Sequence, residues 1–380
     1  MLAIAIAAAP FKVRLLAGSG RMKTADVIVV GGGIAGISVA ARLAPDARVV
    51  VLERESSTCY HATGRSAAVF IRNYGNKVLR VLNGLSQNHL LDGGYLSQRG
   101  ELLVALPDQG AHLDDVLSKA DTVERVDEPT LRQLVPILRE GLFIGGAYER
   151  EAYDIDVDLL VQSFARQLRQ HGGEVITDAE VVGLTRSGET WNVETRVGDF
   201  EAPVVVNAAG AWADMVATRA GLRPVNLQPL RRSAAIVPIE DHDLRQWPLF
   251  AGIAENWYGK PEAGQLMVSP ADEDLVAPQD AYPDDLVLAE GIHRFEQSTT
   301  VSVRRVTHRW AGLRTFATDR TPVMGFDPRS SGFFWLAGQG GYGIQTAPAL
   351  SLLAADLVLG RVRAVDSELL AALSPARFSQ

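Results

Sequence analysis

Three glycines and an acid carry the clearest chemistry in the chain: Gly31-x-Gly33-x-x-Gly36, with Glu53 lying 22 residues after the first glycine. Gly31 permits a tight turn, Gly33 lets the backbone approach a pyrophosphate, and Gly36 lets a helix pack against a strand. Phosphates then sit at a helix N-terminus, where free N–H groups and the dipole favour anions, and Glu53 can accept hydrogen bonds from a ribose diol. This run predicts a dinucleotide site. It lies within the first 40 residues, and the one later run of the same spacing, Gly338-x-Gly340-x-x-Gly343, has no acid 22 residues after its first glycine, which favours a tightly held FAD over NAD.

Other residues extend this chemistry. His61-Ala62-Thr63-Gly64-Arg65-Ser66 follows the acid. It reads as a loop following the cofactor from phosphates to flavin, or as an ordinary polar turn. Asn207-Ala208-Ala209-Gly210 ends an apolar run with small residues, as where backbone passes a cofactor or turns a tight packing corner. Gly338-Gln339-Gly340-Gly341-Tyr342-Gly343 precedes a helical stretch, whose N-terminus can stabilise negative charge on a reduced flavin. Arg231-Arg232 sits in an apolar stretch, and Arg314 follows Trp310-Ala311-Gly312-Leu313. An arginine in such a context needs an anion partner. That partner is either a protein carboxylate or a substrate carboxylate held bidentately. Tyr74, Tyr258 and Tyr342 offer hydroxyls or simple packing. The seven histidines show no HxxxH or HExxH spacing, the single cysteine, Cys59, cannot build a thiolate site, and no GxSxG elbow occurs.

These groups need elements to position them. Residues 26–30 and 48–52 read as buried strands on either side of a helix at 37–43. Further on, 159–171 reads as an amphipathic helix. Residues 174–184, 191–197, 204–206 and 332–337 read as strands, and 224–238, 266–269 and 299–304 have strand character. A last helix is predicted over 344–359, ending at Gly360. The order predicts an α/β protein: a Rossmann-like FAD-binding domain with an inserted substrate domain of mixed β-sheet plus helices. Residues 24–85, 147–222 and 311–380 are assigned to the FAD-binding domain, and 86–146 and 223–310 to the substrate domain.

Composition agrees with that outline. A chain of 380 residues suits two domains. Its 47% hydrophobic and 22% charged content is that of a soluble globular protein. A net charge of −8 without basic runs argues against nucleic acid and anionic membrane as partners. One cysteine excludes an intramolecular disulfide and fits a reducing cytoplasm. Residues 1–23 place an apolar run before the basic residues, the reverse of a signal peptide, and the run is too short to span a bilayer. They read as a disordered extension, with Met22 as the functional start.

Taken together with Glu53-Arg54-Glu55, Tyr60–Ala68, Asn207–Trp212, Leu227–Ala234, Trp310–Arg314 and Ala337–Thr346, the glycine motif resembles the D-amino acid oxidase superfamily of flavoenzymes. Within it, the chain looks like the FAD-dependent D-arginine dehydrogenases. The resemblance runs from about residue 24 to the C-terminus. It implies non-covalent FAD, held by Gly31, Gly33, Ile34, Ala35, Gly36, Glu53, Arg54, Thr63, Gly64, Arg65 and Ser66. Further contacts come from Val181, Ala209, Gly210, Trp212, Gly338, Gly340, Gly341, Tyr342, Gly343, Ile344 and Gln345.

By the same resemblance, Arg232 and Arg314 bind the substrate carboxylate, and Tyr74 and Tyr258 border the substrate, one of them on a mobile lid. The Gly312 carbonyl accepts from the substrate amine, and Glu101 recognises a cationic side chain. The implied reaction is hydride transfer from Cα of a D-amino acid to flavin N5, giving an imino acid that hydrolyses to a 2-oxo acid and ammonia. O2 or a quinone-type acceptor then takes the electrons. The chain departs from the family at Val69 and Ile71, where a histidine and a threonine are usual, so a more apolar pocket and weaker arginine specificity are expected. Residues 86–101 also look shorter than in the family. The alternatives are an oxidase of glycine, sarcosine or another N-methyl amino acid, and a non-catalytic flavin-binding subunit of a larger complex. A third, an NAD(P)H-dependent reductase or monooxygenase, is disfavoured because no second glycine run with its acid 22 residues on is present.

Overall fold

The computed structural model describes residues 22–120, 122–361 and 366–378. The predicted extension therefore lies mostly outside the described residues. Its last residue, Lys23, instead begins the strand Lys23–Thr24, which pairs in parallel with Gly198–Ala202.

The runs Val27–Val30 (VIVV) and Val49–Leu52 (VVVL) are β-branched and almost wholly buried. Strands covered on both faces read this way in parallel sheets. They form the centre of a six-stranded sheet in the order Glu174–Ile176, Val49–Leu52, Val27–Val30, Val204–Asn207, Phe333–Ala337, Val323–Phe326. Every pairing is parallel except the last. The helix Ile34–Leu43 starts at the glycine motif, three residues earlier than periodicity suggests. It packs against the helices Val157–Gln170 and Gly343–Val358 around Val29, Ile37, Phe164 and Leu350. A four-stranded sheet of Lys23–Thr24, Gly198–Ala202, Thr190–Thr195 and Val181–Ser187 covers the other face.

The second large unit is a ten-stranded mixed sheet. Its path runs Gln339–Gly340, His308–Phe316, Gln228–Val237, Gln265–Ser269, Tyr258–Glu262, Leu249–Gly252, Glu101–Ala105, Gly145–Glu149, Val123–Val126, and Asp274–Leu275 adds to Gln228–Val237. The divisions drawn at 146/147 and 310/311 fall inside two of these strands. A three-stranded sheet, Val69–Ile71, Ala152–Ile155 and Leu96–Gln98, lies near it.

Two sequence readings are corrected. Residues 174–184 hold two strands in different sheets, because the chain leaves the parallel sheet after Ile176 and enters a hairpin at Val181. Residues 299–304 form no strand, only a bridge between Leu138 and Thr299. There the backbone finds isolated partners instead of a ladder: Thr300 N–H donates to the Ile137 carbonyl, and Val303 N–H to the Glu296 carboxylate. No helix among the described residues is long and apolar enough to cross a membrane.

Candidate active site

The glycine motif does what its spacing demands. Gly31 has φ +108°, and a Cβ there would lie 2.5 Å from the Ala208 carbonyl oxygen. A Cβ on Gly36 would lie 1.9 Å from the Gly31 carbonyl oxygen, so only glycine lets the helix seat on the turn. The helix has no cap from its own Gly33; the Thr63 hydroxyl, from the 61–66 loop, accepts from Ile34 N–H at 3.1 Å. Glu53, buried at the end of its strand, accepts from Gly32 N–H at 2.6 Å and Glu55 N–H at 2.9 Å. Burial raises its pKa, against the pull of those two donors.

The loop after Glu53 is tied down on both sides. His61 Nε2 lies 2.9 Å from the Glu55 carboxylate, and its ring lies 4.6 Å from that of Trp212. Arg54 stacks over the same indole at 4.9 Å. Arg65 pairs with Asp280 at 2.5 Å and donates to the Ala281 and Ala311 carbonyls, each at 3.1 Å. Arg65 thus fastens the cofactor loop to the large sheet.

A continuous cavity joins these parts. It is lined by Gly31, Gly33, Ile34, Ala35, Glu53, Arg54, Thr63, Arg65, Ser66, Val181, Ala209, Gly210, Trp212, Gly340, Gly341, Gly343 and Ile344. It continues to Arg232, Tyr258, Gly312 and Arg314. Five residues expected at the cofactor lie outside the lining and support it from behind. Gly36 seats the helix, and Gly64 packs on the Cys59 carbonyl. Gly338 turns the chain at φ +71°. Tyr342 packs among Leu79, Leu230 and Phe316. Gln345 accepts from Ile71 N–H at 3.2 Å and donates to Asn83 at 2.7 Å. Cys59, Ala179, Met215 and Met267 also line the cavity; isolated residues in unrelated segments carry no spacing signal.

Strand register builds the other end of the cavity. Arg232 pairs with Gly312 across two antiparallel strands, and Arg314 follows two residues on. Alternation therefore puts Arg232, Gly312 and Arg314 on one face and Arg231 on the other. Arg231 is spent on Asp274 at 2.7 Å and Asp272 at 3.5 Å. Arg232 donates to the Asp272 carbonyl at 2.9 Å and to Glu273 at 3.1 Å. Arg314 donates to the Tyr74 hydroxyl at 3.3 Å and has no carboxylate partner among the described residues. Burial disfavours its charge, but Tyr74, Tyr258 and Tyr342 outweigh this and raise its pKa, so it stays a cation.

Tyr258 belongs to an apolar cluster with Ala234, Leu249, Ala251 and Met267, against which Val69 and Trp310 pack. The register continues this face to Glu101, opposite Glu149. Glu101 does not line the cavity, and it has no hydrogen-bond or ion-pair partner among the described residues. Burial, with Glu149 and Glu255 adding repulsion, pushes its pKa up to about 8.

The cavity suits FAD: glycine backbone and a helix start for a pyrophosphate, Glu53 at the neighbouring strand end, and a second helix start at Gly343 beside the arginines. Comparison with known proteins agrees. Residues 26–357 match the family model described as DAO, FAD dependent oxidoreductase. The chain is 28% identical over 216 residues to L-2-hydroxyglutarate dehydrogenase of Escherichia coli (strain K12), a match covering 52% of this chain and spanning 50% of that relative. It is 23% identical over 360 residues to glycine oxidase of Bacillus subtilis (strain 168), covering 88% of this chain and 93% of the relative. The crystal structure of glycine oxidase from Geobacillus kaustophilus shares the fold, with a TM-score of 0.81 at 22% identity over 94% of this chain and 99% of that one. With a family match across most of its length and a cavity built for the cofactor, the chain belongs to the FAD-dependent oxidoreductases of the DAO family.

Proposed function

We propose that the protein oxidises the carbon–nitrogen bond of a small α-amino acid held by its carboxylate between Arg232 and Arg314. The observation that carries this reading is Arg314: a cation without a carboxylate partner among the described residues, on the same sheet face as Arg232 and lining the same cavity as the glycine motif. An arginine kept charged in such a place wants an anion, and a planar carboxylate matches its fork.

Bound FAD supplies the acceptor for the hydride that leaves the substrate Cα. The chain's own residues set the geometry. The two guanidiniums fix the carboxylate, and positioning of this kind is worth roughly 7–11 kcal/mol of barrier. The Gly312 carbonyl is the acceptor for the substrate amine. Ala234, Met267 and Tyr258 supply an apolar wall, which limits water near the reacting carbon. The imino acid released hydrolyses to a 2-oxo acid and ammonia, or methylamine where the substrate is N-methylglycine.

The apolar cluster and the likeness to glycine oxidase favour glycine, N-methylglycine or a D-amino acid with a small apolar side chain. A D-amino acid with a cationic side chain is the second reading, and Glu101 opposite Glu149 on the same face supports it. An anaerobic titration of the holoprotein with glycine, sarcosine and D- and L-amino acids, following the oxidised flavin band, tests both. Bleaching by glycine, sarcosine or D-alanine supports the first reading. Bleaching chiefly by D-arginine or D-lysine supports the second. No bleaching by any of them overturns the amino-acid reading and leaves the flavoprotein.

A further inference from the structure

Arg232 is held from the side away from the cavity. Its Nε donates to the Asp272 carbonyl at 2.9 Å and its Nη2 to Glu273 Oε1 at 3.1 Å, so one edge of the guanidinium is committed to protein. Asp272 is itself fixed, accepting from the Ser233 backbone N–H at 2.6 Å and from the Ser233 hydroxyl at 2.8 Å. Glu273 is gripped in turn by Arg320, which donates to both carboxylate oxygens at 2.9 and 3.0 Å.

Arg320 is an unusual partner to find by chance. It adopts a left-handed backbone, φ +57°, which a non-glycine residue holds only when its surroundings over-determine it. Its guanidinium stacks 3.9 Å from the Phe316 ring centroid, on the strand that carries Arg314. Neither Glu273 nor Arg320 lines the cavity, whereas Arg232 does. Burial disfavours charge on Glu273, but Arg320, Arg232 and Arg314 outweigh it, so the carboxylate stays ionised.

We propose that the Glu273–Arg320 pair is the positioning element for Arg232: it holds the far edge of the guanidinium so that the free Nη1 side meets the substrate carboxylate in the cavity. Glu273 also bridges two cations that would otherwise repel one another, Arg232 and Arg320. The inference rests on the reading that Arg232 takes the substrate carboxylate. Both residues are positioning groups, since neither lines the cavity.

The test uses FAD-loaded protein and two probes, benzoate, an unreactive carboxylate, and benzamide, its neutral isostere, with binding read from the flavin spectrum. E273Q and R320A are each expected to weaken benzoate by about tenfold, as for loss of a charge-assisted contact, with benzamide unchanged. In an R232A background E273Q is expected to have no further effect on benzoate. Flavin occupancy and the thermal midpoint verify folding; the Arg320 side chain is 46% exposed, so R320A carries the test should E273Q fail to hold flavin. Benzoate affinity that is unchanged or tighter in E273Q or R320A, while R232A weakens it, overturns the positioning role alone. Benzoate affinity unchanged in R232A overturns the carboxylate site on which the inference rests.

Discussion

Arg314 donates from Nη1 to the Tyr74 hydroxyl at 3.3 Å, joining a strand of the large sheet to the turn that precedes the helix Lys77–Asp92. Tyr74 also packs against Tyr342, with ring centroids 4.7 Å apart and the rings tilted by 59°. A cation, a hydroxyl and a helix start from three separate elements thus meet where the substrate carboxylate is proposed to bind.

Replacing Arg314 by alanine should raise KM for a carboxylate substrate about 30- to 160-fold, the equivalent of about 2–3 kcal/mol for a charge-assisted contact. The flavin spectrum should be unchanged, since Arg314 lies at the proposed substrate end of the cavity. Steady-state kinetics with the best substrate of the panel checks this; an unchanged KM removes Arg314 from the site.

Tyr74→Phe keeps the ring contact with Tyr342 and deletes the hydroxyl that accepts from Arg314. The expected fall in kcat/KM is roughly 2- to 10-fold, the net value of one hydrogen bond. A loss as large as that of Arg314→Ala would mean that the hydroxyl contacts the substrate directly.

Gly36→Ala should cost flavin and stability together, because the added methyl would sit 1.9 Å from the Gly31 carbonyl oxygen and the helix must move off the turn. A drop on the order of 3 kcal/mol is expected, at the upper end for single substitutions. Gly172→Ala is the control: its φ is +79°, but nothing lies within 4 Å of the new Cβ. It should cost about 1 kcal/mol and leave flavin occupancy intact. Thermal unfolding and the ratio of flavin to protein absorbance separate the two.

Glu101 gives a signed pH prediction. Its folded pKa, about 8, lies above the ordinary glutamate value of 4.5, so between these values the folded protein holds a proton that the unfolded chain has released. Stability should therefore fall as pH rises through that window. Glu101→Gln should match wild type near pH 4.5 and exceed it by about 1–3 kcal/mol at pH 8.5, the cost of an unpaired buried group. Denaturant unfolding at both pH values checks the sign. In activity assays the same substitution should harm D-arginine and D-lysine more than apolar substrates; equal losses would remove Glu101 from side-chain recognition.

Contiguous chemistry was legible in the sequence. The glycine turn, the acid at the next strand end and the terminal glycine run each work within a few tens of residues, where backbone conformation and strand-turn-helix order leave few options. The arginines were legible only as residues in need of an anion. Adjacent in sequence, Arg231 and Arg232 differ in fate because strand alternation sends one to Asp272 and Asp274 and the other to the cavity. Gln345, next to the cofactor turn in sequence, is drawn off by Ile71 and Asn83. Glu101 shares the face of the arginines but stands several strands away.

Sequence alone determined that this chain binds a dinucleotide cofactor at its first βαβ unit, because turn conformation and helix-end electrostatics are local properties. Tertiary structure decided which cations face the cofactor, what holds them and which acids remain unpaired. Those outcomes depend on the register of strands far apart in the chain, and a shift of one residue would send every side chain of a strand to the opposite face.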